Sequence, residues 1–218
     1  MALLDLSSDE LLSTTRAVRK RLDFARDVPD ELIRECAAAA LQAPSGSNNI
    51  TMSFVIVKDP AKRRAIADVY AKCWDIYSNS PMYAGAIEKE SDAEKAQQSR
   101  VVDSATFLSQ NMAKAPVLLI ACSVGARLEN MPAMASASIL GNILPATWSF
   151  MLAARARGLG TAWTTIHLMM EQAVADIVGI PFDSVQQVCL SPLAYTVGTD
   201  FKPALRPAPD SILHWDTW

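Results

Sequence analysis

The segment Thr14-Thr15-Arg16-Ala17-Val18-Arg19-Lys20-Arg21 places four cations within six residues. Read as the end of a helix, it puts Arg16, Arg19 and Lys20 at i, i+3 and i+4, on one face. Three like charges so placed repel unless an anion or nearby acids lie between them. Two accounts stay open on these residues alone. One is a solvated face neutralised by Asp23 and Asp27. The other is a bound phosphate, where each charge-assisted hydrogen bond contributes about 1.5–3 kcal/mol. A second constellation, Pro44-Ser45-Gly46-Ser47-Asn48-Asn49, lies between a helix end and a strand, where backbone amides and short hydroxyls face outward; it reads equally as an ordinary turn. Thr164-Thr165 closes a strand, and Lys202 and Arg206 stand in the tail, each with a plain surface reading beside a functional one.

Other chemistries lack their parts. Gly158-Leu159-Gly160 has no third glycine, so a dinucleotide fingerprint is absent, as is a phosphate loop ending in Gly-Lys-Ser/Thr. Neither a G-x-S-x-G elbow nor an H-E-x-x-H pair occurs. Cys36, Cys73, Cys122 and Cys189 are far apart and, with only His167 and His214 beside them, form no metal-binding spacing. Each cysteine sits among apolar neighbours and reads as a small buried side chain. No metal site and no catalytic acid, base or nucleophile is expected.

The 218 residues are 50% hydrophobic and 20% charged, which excludes disorder and fits a globular chain with a sizeable core. A net charge of −3 argues against a nucleic-acid partner, which favours a basic excess. The amino-terminal stretch puts acids before bases and holds no signal-peptide run, so a cytoplasmic protein is expected. Residues 133–154 carry no charge over a bilayer-spanning length. Ser136, Ser138, Asn142, Thr147, Ser149 and Pro145 interrupt them, however, and favour a core helix over a membrane span. A helix apolar all round in so small a chain suggests that a second subunit covers one face.

Helices are expected over Asp9–Arg19 (capped by Ser7 or Ser8), Asp30–Leu41, from Asp59-Pro60 with Ala65, Ile66, Val69 and Tyr70 on one face, up to Met112, over 133–154, and over Met170–Val178. Strands are expected at 53–57, 116–122, 160–165 and 188–197. Residues 78–100 read as a lid or flexible insertion, and the tail after 200 as lacking an element of its own. The interleaving predicts a single α+β (mixed α/β) domain over 1–218, with a central mixed sheet flanked by helices.

Taken together, these pieces resemble the FMN-dependent nitroreductase family from about Thr14 to the C-terminus. Thr15-Arg16-Ala17-Val18-Arg19 stands where the family has R-R-S-x-R. Ala43-Pro44-Ser45-Gly46-Ser47-Asn48 matches A-P-S-x-x-N, Gly158-Leu159-Gly160-Thr161 matches G-L-G-T, and Gly179-Ile180-Pro181 matches G-I-P. The ending Gly198-Thr199-Asp200-Phe201-Lys202-Pro203 with Arg206 resembles an actinobacterial-looking branch.

The resemblance implies an intertwined homodimer with FMN at the subunit interface. Arg16, Arg19 and Arg206, with Lys202, would hold the phosphate and the pyrimidine edge of the flavin. Pro44, Ser45, Ser47 and Asn48 would approach from the partner, and Thr164, Thr165 and Ile166 would line the ring. NAD(P)H would reduce the flavin and a nitroaromatic, quinone or related small-molecule acceptor would reoxidise it, in ping-pong fashion. Chemistry carried by the cofactor needs no nucleophile, and a cation such as Arg19 near the ring raises its reduction potential. Departures are visible. Thr15 and Ala17 replace an arginine and a serine, and Asn49-Ile50-Thr51-Met52 replaces x-Q-P-W, putting Ile50 and Met52 in the expected substrate pocket; His167 reads as a third pocket residue or, more readily, as a satisfied structural histidine. A flavin-sequestering protein with little turnover is the alternative.

Overall fold

The computed structural model describes residues 3–125 and 127–218. Met1 and Ala2, part of the amino-terminal stretch read above, lie outside the described residues. Helix α1 spans Ser8–Thr14 behind a capping box in which Ser7 Oγ accepts the Glu10 N–H and the Glu10 carboxylate accepts the Ser7 N–H at 2.8 Å. The helix stops five residues short of the expected Arg19. Thr14 and Thr15 turn their hydroxyls back onto the carbonyls of Glu10 and Leu11, both at 2.6 Å. The Val18 N–H then donates to the Thr161 carbonyl at 2.8 Å and Ala17 bridges Thr161, so the chain joins a sheet instead of continuing as helix. Arg16, Arg19 and Lys20 therefore do not share a helical face.

Five strands follow: β1 (Leu22–Asp23), β2 (Met52–Val57), β3 (Val117–Val124), β4 (Leu159–Thr161) and β5 (Val185–Thr196). Their order is β1-β5-β3-β2, with β4 also on β5. The α+β class is as expected, but every pair of named strands is antiparallel and the sheet is not mixed. Among the described residues its one parallel contact is the isolated Ala17–Thr161 bridge. The physical reason lies in the connections. Two long helices, α3 (Pro60–Ser78) and α4 (Asp92–Asn111), separate β2 from β3. A helical pair returns the chain to the end it left, whereas a single crossover helix would make the next strand parallel. Strand β4 is shorter than expected, and Thr164 beyond it makes a lone bridge to Leu190.

Side chains alternate along β3. Leu118, Ile120 and Cys122 join a core with Ile66, Tyr70 and Cys73 of α3, Leu108 of α4, and Val174 of α6 (Glu171–Val178). Val117 and Leu119 face Leu32, Ile33 and Cys36 of α2 (Asp30–Ala40) and Ala146, Phe150 and Ala154 of α5 (Ala133–Ala156). Both sheet faces are thus covered, which is why β3 and β5 read as almost unbroken apolar runs. The expected lid over 78–100 divides in two. Its second half is the start of α4, capped by a Ser91–Glu94 box. Its first half is tied to α3, where the Tyr77 hydroxyl accepts the Ala84 N–H at 2.8 Å and Tyr83 packs edge-on to Tyr77.

Helix α5 is apolar on two sides for different reasons. Ile143, Ala146, Phe150 and Ala154 are buried in this chain, whereas Met134 (80% exposed), Leu144 (37%) and Trp148 (40%) form a stripe facing out. By length and composition α5 is the one helix among the described residues that could cross a membrane. Phe150 anchors its inner face, fully buried with its ring tilted on Phe54 at 5.4 Å. Phe150→Ala is expected to cost about 3–5 kcal/mol in urea unfolding; a loss under about 1 kcal/mol would show that α5 is not locked to the sheet there.

Candidate functional site

The basic segment divides into paired and unpaired cations. Lys20 forms an ion pair with Asp103 of α4. Arg21 holds Asp200 at 2.7 Å and the Val197 carbonyl at 2.8 Å, with its guanidinium 4.2 Å above the Phe201 ring. Arg16 donates to the Lys202 carbonyl at 2.8 Å and Arg19 to the Ser104 hydroxyl at 3.3 Å. Among the described residues neither Arg16 nor Arg19 has a carboxylate partner. The expected neutralisation by Asp23 and Asp27 does not occur, because Asp23 accepts the Ala25 N–H and Asp27 pairs with Lys58. Beneath the cluster, Arg155 is buried, donating to the Thr199 carbonyl at 2.9 Å and to Thr14 at 3.4 Å, while its Nε has no partner among the described residues.

A cavity of about 370 Å³ opens here, lined by residues 16–21, Ser104 and residues 200–202. Burial pulls the Arg19 guanidinium below its usual range, and the nearby Tyr70 phenol offsets part of that shift. Tyr70 is itself buried, which pushes its phenol up to about 12, against opposing effects of the Thr164 hydroxyl and Arg19. Thr164 Oγ1 donates to the Leu190 carbonyl at 2.6 Å. Tyr70 and Arg155 were missed in the sequence. A phenol on the core face of α3, and an arginine ending an uncharged helix, were the available signals, since buried polar tips need partners.

The remaining expected residues lie as follows. Ser47 and Asn48 adopt left-handed backbone, at φ 54° and 53°, in a short turn over Gly46–Asn48. Such conformations cost non-glycine residues about 1–2 kcal/mol each. Asn142 of α5 holds this loop, its Oδ1 accepting the Gly46 N–H at 2.7 Å. Thr165 accepts the Leu168 N–H at 3.0 Å, and Ile166 packs against the α3-side core. Arg206 is exposed and lines a separate cavity of about 420 Å³ with Lys89, Ser91 and Glu94.

Of the residues expected in a substrate pocket, Ile50 is 58% exposed and Met52 opens β2 and packs partly on the core. His167 is fully buried, which favours its structural reading over a pocket role, and among the described residues neither ring nitrogen has a partner.

One chain brings Arg16, Arg19, Lys202 and Thr164 into one region and leaves the Pro44–Asn48 loop elsewhere. The loop hangs from Asn142, and the basic region from Arg155 on the same helix. Those two anchors are separated by about 20 Å at roughly 1.5 Å per residue. The other ionic centre, Arg127–Glu171, is structural. The Glu171 carboxylate accepts from Arg127 Nη2 at 2.8 Å and from the Gln187 N–H at 2.8 Å, fixing α6 to β5. Among the described residues no three His, Cys, Asp or Glu side chains gather as a metal site.

An antiparallel sheet between two helical layers, with a cavity lined by Arg16 and Arg19 at its edge, defines an α+β protein. The sequence matches the nitroreductase family over residues 12–198, and the chain belongs to that family. Oxidised iodotyrosine deiodinase bound to FMN and 3-iodo-L-tyrosine superposes with a TM-score of 0.70 at 21% identity, over 96% of this chain and 99% of its own. The FMN- and NADPH-dependent nitroreductase NfnB from Sphigopyxis sp. strain HMH gives 0.68 at 20%, over 98% and 100%. A BluB-like flavoprotein from Clostridium difficile 630 gives 0.66 at 18%, over 96% and 99%. No curated protein matches the sequence. These relatives lend no support to the actinobacterial reading of the tail.

His167 makes a pH prediction. Burial lowers its pKa from 6.5 to about 4. Between those values the unfolded chain binds a proton that the folded protein does not. The contribution is therefore complete above about pH 6.5 and is lost as pH falls through 4, by about 3 kcal/mol at most. Urea unfolding at pH 7 and pH 4.5 is expected to show this slope, and His167→Leu to flatten it; an unchanged slope in that variant would assign the acid sensitivity elsewhere.

Proposed function

We propose that the protein is an FMN-dependent oxidoreductase, one nitroreductase-like domain over 1–218, that takes electrons from NAD(P)H and delivers them to a small-molecule acceptor such as a nitroaromatic or quinone. The observation that carries this reading is the pair Arg16 and Arg19, which line one cavity and have no carboxylate partner among the described residues, the cavity's Asp200 being paired with Arg21. A phosphate with nearly two negative charges supplies what these cations lack. The unpartnered Nε of buried Arg155 adds to the same positive potential. When bound, FMN would supply two-electron transfer at its N5 position.

This chain's residues would then bind and orient. Arg16, Arg19 and Lys202 would hold the phosphate and pyrimidine edge, with Arg206 arriving from the tail. Thr164, Thr165 and Ile166 would form the wall along the ring. The replacements at Thr15 and Ala17 remove two side chains that could meet the phosphate or ribityl chain; the Thr15 hydroxyl donates to the Leu11 carbonyl instead, so Arg16 and Arg19 would carry the anion.

The loop and the cations hang from anchors about 20 Å apart along α5, and a second copy would bring a loop and a set of cations together to complete the site. The exposed stripe Met134, Leu144 and Trp148 on α5 supports a homodimer packed through that helix. Neither nucleic acid nor membrane is required, and four buried unpaired thiols accord with a reducing, cytoplasmic setting.

Purified protein is expected to be yellow or to take up FMN, to bleach anaerobically with NADH or NADPH, and to regain colour with a quinone. Colour that no nicotinamide bleaches would favour flavin sequestration, and failure to bind FMN would overturn the proposal. Arg19→Ala is expected to weaken FMN binding about 10- to 100-fold, the loss of one charge-assisted bond. Trp148→Glu is expected to yield a monomer in light scattering, with flavin affinity lost alongside it.

A further inference from the structure

The loop Pro44–Asn48 does not hold its shape by itself. Two consecutive side-chain-bearing residues, Ser47 and Asn48, sit in left-handed backbone, which a free chain seldom populates. The turn's own hydrogen bonds are few: Asn48 N–H to the Ser45 carbonyl at 3.4 Å and Asn49 N–H to the Gly46 carbonyl at 3.0 Å. Among the described residues, the loop's hydrogen bonds from outside come from a single amide. Asn142 lies 7% exposed in the middle of the otherwise apolar helix α5. Its Oδ1 accepts the Gly46 N–H at 2.7 Å, and its Nδ2 faces the Asn49 carbonyl at 3.5 Å and the Thr51 hydroxyl at 3.3 Å. One side chain thus grips both ends of the turn. An amide is suited to this because it offers an acceptor and two donors on one planar group.

We propose that Asn142 is the positioning residue of the cofactor loop, holding Pro44–Asn48 in its bound shape before the flavin arrives. This rests on the flavin reading above. The role follows from populations. If only a fraction of molecules carry the loop in the competent shape, the apparent dissociation constant rises by the inverse of that fraction. Without the Gly46 and Asn49 ties the turn relaxes toward the right-handed and extended regions, and binding must then order it. Asn142 touches no flavin in this account and acts through the loop alone. Its place on α5 adds a second consequence. Gly141 and Leu144, its neighbours on the helix, face outward, so the surface proposed to meet the second copy and the loop's anchor belong to the same turns of helix.

Two readouts separate the clamp from the flavin reading. In flavin-free protein, amide hydrogen exchange at Gly46 is expected to be slow, and in Asn142→Leu to quicken at least tenfold, with β3 and β5 unchanged. In FMN titrations followed by flavin fluorescence, Asn142→Leu is expected to raise the dissociation constant about tenfold, corresponding to a competent fraction near one-tenth. Asn142→Asp, which keeps the acceptor for Gly46, is expected to recover most of that loss. Thr51→Val, which removes one outer contact, should raise the constant two- to threefold, and it carries the test if the leucine variant does not fold. Faster exchange with unchanged FMN affinity would overturn the positioning role, leaving Asn142 a structural residue. Unchanged exchange at Gly46 would overturn the clamp itself. Wild-type protein that binds no FMN would bring down the flavin reading, and the proposed role with it, whatever the exchange shows.

Discussion

An arginine drawn out of water without a carboxylate beside it is a costly arrangement, and Arg155, buried, and Arg19, half-buried, are both held so, with the exposed Arg16 beside them. Arg16, Arg19 and Arg155 meet carbonyls and hydroxyls, while the acids that could have neutralised the region are engaged elsewhere. Asp103 and Asp200 take Lys20 and Arg21; Asp27 takes Lys58. The division leaves a net positive cavity rather than a neutral salt-bridge network. Partial burial of Arg19 sharpens the effect, because a cation in a lower dielectric attracts an anion more strongly than the same cation in solvent. Much of the surrounding architecture serves to hold that imbalance: α4 supplies Ser104, the tail supplies Phe201 and Lys202, and α5 supplies Arg155.

Helix α5 joins the parts that a single chain keeps apart. Its inner face packs on the sheet, Asn142 near its middle grips the polar loop, and Arg155 at its end reaches under the basic segment. Its outer face carries the apolar stripe that would meet the proposed second copy. A helix with so many tasks reads in sequence as a bland apolar run, since the polar atoms that matter are two side chains spaced along it. Pro145 sits between them and removes one backbone donor, leaving the Gly141 carbonyl without its helical partner.

Several local features were legible because they depend on nearest neighbours along the chain. The Ser7 cap, the acidic start of α2, the Asp59-Pro60 start of α3 and the apolar runs of β2 and β3 are of this kind. The end of α1 was misread, because basic residues continue a helix by propensity while two threonine hydroxyls and a bridge to Thr161 stop it. The lid over 78–100 was half right for a similar reason. Its polar composition concealed a Ser91–Glu94 capping box, and its irregular half is fastened by Tyr77. His167 reads in sequence as a pocket or a core side chain, and only the packing around it decides for the core.

The order of elements, the α+β class, the basic segment and the polar loop follow from sequence, since each rests on residue type and short-range spacing. Which acid meets which base does not, because Lys20 and Asp103, or Arg21 and Asp200, are brought together only by the path of the chain. The antiparallel hand of the sheet likewise depends on two helices returning the chain to the end it left. The separation of loop from cations is set by the length of α5 between Asn142 and Arg155, a distance that exists only once that helix is packed against the sheet.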